Sequence, residues 1–187
     1  VIAIIGVLAV TLIPQLSKAQ AKARDTGRIA HLSSIGTVLQ TYRSDIGSFP
    51  TSKGSAVGNV WCLSANDGTI NATVYTNATP AVAGTSTDIN ALSGLFQNSK
   101  APIDPQKLTA GNADSKLCNV AGPYGYQSLA NRGDALAAIV TAKLEVTGKG
   151  NYNLPAPGAA IPDTGKGAIP GINTPSSANT NYAVIQQ

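Results

Sequence analysis

The first thirteen residues, Val1 to Ile13 (VIAIIGVLAVTLI), carry no charge and run into Pro14 and a polar stretch. At the α-helical rise of ~1.5 Å per residue the run covers only ~20 Å, against a hydrocarbon core of ~30 Å, so it is too short to span a bilayer alone. A helix apolar on every face must bury every face, and a soluble core rarely surrounds one so completely. Three readings compete. A cleaved secretory signal, with Ala21-Lys22-Ala23 as its small-x-small site, lacks the basic leader such signals carry. A buried core helix is the second. The third is a helix that lies in a membrane at one time and in a protein bundle at another. The chain opens inside the hydrophobic segment, so further residues are expected upstream of Val1.

Beyond Pro14 the sequence keeps a helical period. Leu32, Ile35, Leu39, Tyr42 and Ile46 recur at steps of three and four, which places them on one stripe packed against a sheet, and Ile29 extends that stripe N-terminally. Lys18, Lys22, Arg24, Asp25, Arg28, His31 and Arg43 fall between, on faces expected to meet solvent or neighbouring subunits. Pro14 removes a backbone hydrogen bond and Gly6 weakens the turn before it, so a kink is expected between them. The helix should stop near Gly47, which suits a C-terminal cap, ahead of Phe49-Pro50.

These residues carry a resemblance. VIAIIGVLAVTLIPQLSKAQAKARDTGR resembles the N-terminal segment of type IV pilins and of the related pseudopilins of type II secretion, in which a Gly precedes a Pro by eight positions, here Gly6 and Pro14. Leu39 to Pro50 (LQTYRSDIGSFP) is similar to the family's closing pattern: a Tyr, an Asp-x-Gly and an aromatic-Pro pair. Pro102-Ile103-Asp104-Pro105, an aromatic strand and a strand ending in Leu144-Glu145 resemble the C-terminal domains of many pilin-like proteins.

The resemblance implies an α+β fold, the pilin ladle, with a long N-terminal helix on a small antiparallel sheet. Residues 1–48 would form the helix and 49–187 the head, with a loop-rich connection over 51–87 and a Gly/Pro-rich tail over 148–187. Within residues 1–16 the family's membrane and filament-core role would fall to Val1, Ile2, Ile4, Ile5, Val7, Leu8, Val10, Leu12 and Ile13. It implies local melting between Gly6 and Pro14 on assembly, and about eight residues before Val1, which brings the span to the ~20 residues a bilayer needs. The family's cleavage site, N-terminal aromatic residue and buried Glu are absent from this sequence.

The function implied is that of a structural subunit. The chain would sit in the bacterial cytoplasmic membrane, then assemble with identical copies into an extracellular pilus serving adhesion, motility or DNA uptake. A prepilin peptidase, N-terminal methylation and an assembly platform come with it. A type II secretion pseudopilin and a DNA-binding competence pilin are the alternatives. The net charge of +4 is spread over Lys53, Lys100, Lys107, Lys116, Lys143, Lys149 and Lys166 as well as the helix, which gives nucleic acid no support as a partner.

No catalytic constellation, metal site or cofactor motif emerges, and an enzyme is not expected. Cys62 and Cys118 lack C-x-x-C spacing and the chain has one histidine, which argues against zinc. In an exported chain a disulfide between them is expected, contributing about 4 kcal/mol in the chain-entropy picture. Two unpaired buried thiols are the alternative. With charged residues only 12% of the chain and Gly and Pro frequent, such a staple would support a thin core.

Within the head, Val60–Leu63 and Thr69–Thr76 are β-prone. Asp88 is expected to cap a short helix through Ile89, Leu92, Leu95 and Phe96. Tyr124–Leu129 and Ala135–Val146 read as an antiparallel hairpin about Asn131-Arg132-Gly133-Asp134. In its second strand Val140, Ala142, Leu144 and Val146 form an apolar face, and Ile139, Thr141, Lys143 and Glu145 a mostly polar one. Tyr182–Ile185 is either a last edge strand or part of an exposed tail.

Overall fold

The computed structural model describes residues 2–50, 60–65, 67–70, 73–75, 83–85, 90–106, 122, 124–131, 134–146 and 181–186. Its spine is one helix, α1 (Ile2–Ile46), 45 residues long. At ~1.5 Å per residue it extends roughly 65–70 Å. The C-terminal half has the stripe that a sheet can cover, and the N-terminal half lies clear of the head. Gly47 ends the helix at φ +90°, and its N–H donates to the Arg43 carbonyl at 2.7 Å. Only a residue without a Cβ takes that left-handed turn at little cost.

The helix continues through Gly6 and Pro14 without interruption. Pro14 still lacks an N–H, so the Val10 carbonyl goes without its helical partner. Among the described residues no helix is long and apolar enough to cross a membrane.

The head is built on a four-stranded antiparallel sheet, so the fold is α+β. Its strands are β1 (Val60–Cys62), β4 (Gly125–Asn131), β5 (Asp134–Lys143) and β6 (Asn181–Gln186), in the order β1-β4-β5-β6. β2 (Thr73–Tyr75) and β3 (Ala83–Thr85) make a separate two-stranded ribbon. The register of β4 on β5 sets Tyr126 opposite Val140 and Gln127 opposite Ile139. β6 is an edge strand, pairing Val184 with Val140, and α1 packs on both β5 and β6.

Leu32, Ile35, Leu39 and Tyr42 are buried with Phe49, Leu63, Tyr124, Tyr126, Val140 and Ala142 in one core. Ile46, expected on the same stripe, is instead 62% exposed. The chain leaves the helix one residue later, and the next buried apolar side chain is Phe49, not Ile46. Tyr126 then ties the turn to the sheet, its hydroxyl donating to the Pro50 carbonyl at 2.8 Å.

Both faces of the inner strands are covered, since Ile139, Thr141 and their neighbour Gln127 on β4 are buried on the mostly polar face of β5, as Val140 and Ala142 are on the other. Of the short helix expected through Phe96, the described residues show α-helix at 90–91 that tightens into a 3₁₀ turn, Leu92–Gly94, followed by a second one, Gln97–Ser99. Gly94 favours stopping over propagation, and Asn98 and Ser99 both sit at positive φ. Leu92 and Phe96 still reach the core, while Leu95 is partly exposed.

Cys62 closes β1 and is buried and disulfide-bonded. Cys118, the chain's other cysteine, lies outside the described residues, as do Val1, Asp88, the loop connection over 51–59 and the tail over 147–180.

Candidate functional site

Two features of α1 stand out, and they adjoin. The first is its N-terminal half. Ile2, Ile4, Ile5, Leu8, Val10, Leu12, Ile13 and Leu16 are all exposed, from 55% at Leu8 to 88% at Ile2. They point in every direction around the axis, since successive helical residues turn by about 100°. The side chain of Val7 lies outside the described residues. Among the described residues nothing covers this continuous apolar surface, and in water it would cost ~25 cal/mol for each Å² left exposed.

The second feature is a largely buried ionic junction where α1 enters the head. Arg28 is 0% exposed. Its Nε and Nη2 donate to the two carboxylate oxygens of Asp104 at 2.8 and 3.0 Å. Its Nη1 donates to Asp25 Oδ1 at 2.6 Å and lies 2.7 Å from Glu145 Oε1. One turn nearer the N-terminus, Arg24 grips both oxygens of Glu145, at 2.8 and 2.6 Å. Asp25 in turn accepts from the backbone N–H groups of Glu145 and Val146, both at 2.9 Å. The helix, the segment at Asp104 and the end of β5 therefore meet on two guanidinium groups and three carboxylates.

The electrostatics follow from that geometry. Burial opposes the Arg28 charge, but the hydrogen bonds to Asp104, Glu145 and Asp25 outweigh it and raise the guanidinium further. The hydrogen bonds from Arg24, joined by those from Arg28, hold the Glu145 carboxyl down at about 2 despite its partial burial. Beside the cluster, His31 Nδ1 lies 2.9 Å from the Tyr124 hydroxyl, and burial, then the Asp104 charge, raises that phenol. Among the described residues no group of His, Cys, Asp and Glu is placed to hold a metal ion.

Comparison with protein-family models, with curated proteins and with solved structures returns no match. The reading of this chain therefore rests on its own residues.

The sequence places Arg24, Asp25, Arg28 and His31 on outward faces. The structure corrects this, since Asp25 and Arg28 are buried and Arg24 and His31 are partly so. The signal was available in the spacing. Positions 25, 28, 32, 35, 39 and 42 form one unbroken series of steps of three and four, and Asp25 with Arg28 is an i,i+3 pair of opposite charge. Ile29, taken as the N-terminal extension of the stripe, is only half-buried beside it. Glu145 turns inward because β5 has ended at Lys143 and no longer fixes alternation.

Proposed function

We propose that this chain is the structural subunit of an extracellular type IV pilus, a pilin with the ladle arrangement of helix and head. The observation that carries this reading is the exposed, all-round apolar half of α1, held rigidly by the same helix to a folded antiparallel head. Such a helix is at home in two places, a lipid core and a bundle of its own copies. Transfer between them exchanges one apolar surrounding for another and costs little. Head-to-tail contacts that do not close on themselves then generate an open helical filament with the heads outside.

In this reading the subunit waits in the cytoplasmic membrane and joins identical copies at an assembly platform, ending on the bacterial surface in adhesion, motility or DNA uptake. Its work is mechanical, and the buried charges serve to fix the head on the helix, not to carry out a reaction. The test is to shear filaments from cells, image them by electron microscopy and identify their principal protein by mass spectrometry. Micrometre-scale fibres made of this chain support the reading. Fibres that lack it, with the chain left in the membrane fraction, reject it in favour of a secretion pseudopilin or a minor subunit.

A further inference from the structure

We infer that Lys18 and Lys22 form a cationic collar that binds the anionic headgroups of a lipid bilayer while the apolar half of α1 is held in it. The inference rests on the membrane-held stage of the reading above and adds a lipid class to it.

Four cations lie on α1 between Leu16 and Ile29, and their commitments differ. Arg24 is taken by Glu145, and Arg28 by Asp25, Asp104 and Glu145. Lys18 and Lys22 are exposed and form no ion pair among the described residues. Residues 1–24 contain no Asp or Glu, so this stretch offers them no acidic neighbour on the side away from the head. They are four residues apart and share one face.

Their height above the apolar run decides the partner. Lys18 follows Ile13 by ~8 Å along the axis and Lys22 by ~14 Å, and the headgroup layer occupies about 5–8 Å on each side of the hydrocarbon core. In a helix the Cα–Cβ bonds tilt toward the N-terminus, here toward the apolar half. A lysine stem can therefore lie back along the helix and deliver its ammonium to the headgroup layer from above. The ammonium is a compact, strongly hydrated charge that recognises a phosphate by Coulomb attraction without a shaped pocket. Two such charges beside an inserted apolar segment fit a negatively charged lipid surface better than a zwitterionic one.

The experiment measures binding of the whole chain, diluted from detergent, to vesicles of phosphatidylcholine alone or with 30% phosphatidylglycerol (by design, a minority anionic fraction of about one third, enough to set a negative surface potential). The readout is the lipid concentration at half-binding. We expect binding to both vesicle types, with the anionic ones favoured by about tenfold at low salt, in keeping with two basic side chains near a charged surface. Lys18→Gln/Lys22→Gln should abolish most of that preference while leaving binding to the neutral vesicles unchanged, and added salt should do the same. Lys100→Gln removes one positive charge from the head, near Pro102 and away from the apolar half of α1, and should leave the preference intact. Equal binding to the two vesicle types, or a preference that survives the double substitution, overturns the collar and leaves the apolar anchor standing. No binding to either vesicle overturns both.

Discussion

Arg28 and Asp104 stand 76 positions apart in sequence, yet the guanidinium holds both carboxylate oxygens at 2.8 and 3.0 Å with none of its side chain exposed. A buried bidentate pair fixes distance and angle together. The bond therefore sets where the head sits on the helix, and through Glu145 it draws in the end of β5 as well.

Truncating that arginine should be costly. Arg28→Ala leaves the carboxylates of Asp25 and Asp104 buried without their partner, and a loss of about 3–5 kcal/mol in unfolding free energy is expected. Arg28→Lys should recover only part of it, because an ammonium cannot match both oxygens of Asp104. Denaturant unfolding followed by circular dichroism measures both. An Arg28→Ala chain as stable as the parent would show the junction to be energetically idle.

Acid should loosen the same junction. The Glu145 carboxyl titrates near its ordinary 4.5 when unfolded and at about 2 in the fold. Between those values the unfolded chain binds the extra proton, so this group's contribution to stability is complete above ~5.5 and is lost as pH falls from ~4.5 toward ~2. Melting temperature against pH should decline through that window, and Glu145→Gln should flatten the decline while lowering stability at neutral pH.

Two glycines should respond in opposite senses to alanine. Gly68 sits at φ +85°, and an added Cβ would lie 2.7 Å from the Ala101 carbonyl oxygen. Gly68→Ala is expected to cost about 1–3 kcal/mol through strain and clash. Gly27 is inside α1 with open space where a Cβ would go, so Gly27→Ala should stabilise the subunit by about 0.5–1 kcal/mol. Thermal unfolding of the two variants gives the signs directly.

Assembly should be separable from folding. Ile5 is exposed and remote from the head, so Ile5→Lys should leave the melting temperature of the head unchanged. The charge would have to enter an apolar bundle, at a cost of several kcal/mol per subunit, and filaments should be lost. Counting fibres in micrographs beside the melting curve checks both halves of the statement.

Much of this architecture is written in periodicity. The series Leu32, Ile35, Leu39 and Tyr42 announces a helix with one buried stripe, and Gly47 announces its end. The hairpin of β4 and β5 is announced by Tyr124 and Tyr126 on one side and the β-branched run Ile139, Val140 and Thr141 on the other, about the turn-forming cluster Asn131-Arg132-Gly133-Asp134. The ionic junction was harder to read, because hydropathy assigns arginine and aspartate to water unless a partner is known. That partner, Asp104, comes from a Pro-flanked segment whose approach to α1 is a tertiary fact. Ile46 was misplaced for a related reason, since a stripe says which residues align but not where the covering sheet ends. The buried second face of β5 is likewise invisible to alternation, which cannot say what packs against Ile139 and Thr141.

The most direct test is a helical reconstruction of intact filaments by cryo-electron microscopy. The account predicts that residues 2–16 pack against the same segment of neighbouring copies along the filament axis, with the Arg28–Asp104 junction at the base of each outward-facing head. Filaments whose axis is filled by the heads, with the apolar half of α1 turned outward to solvent, would contradict it.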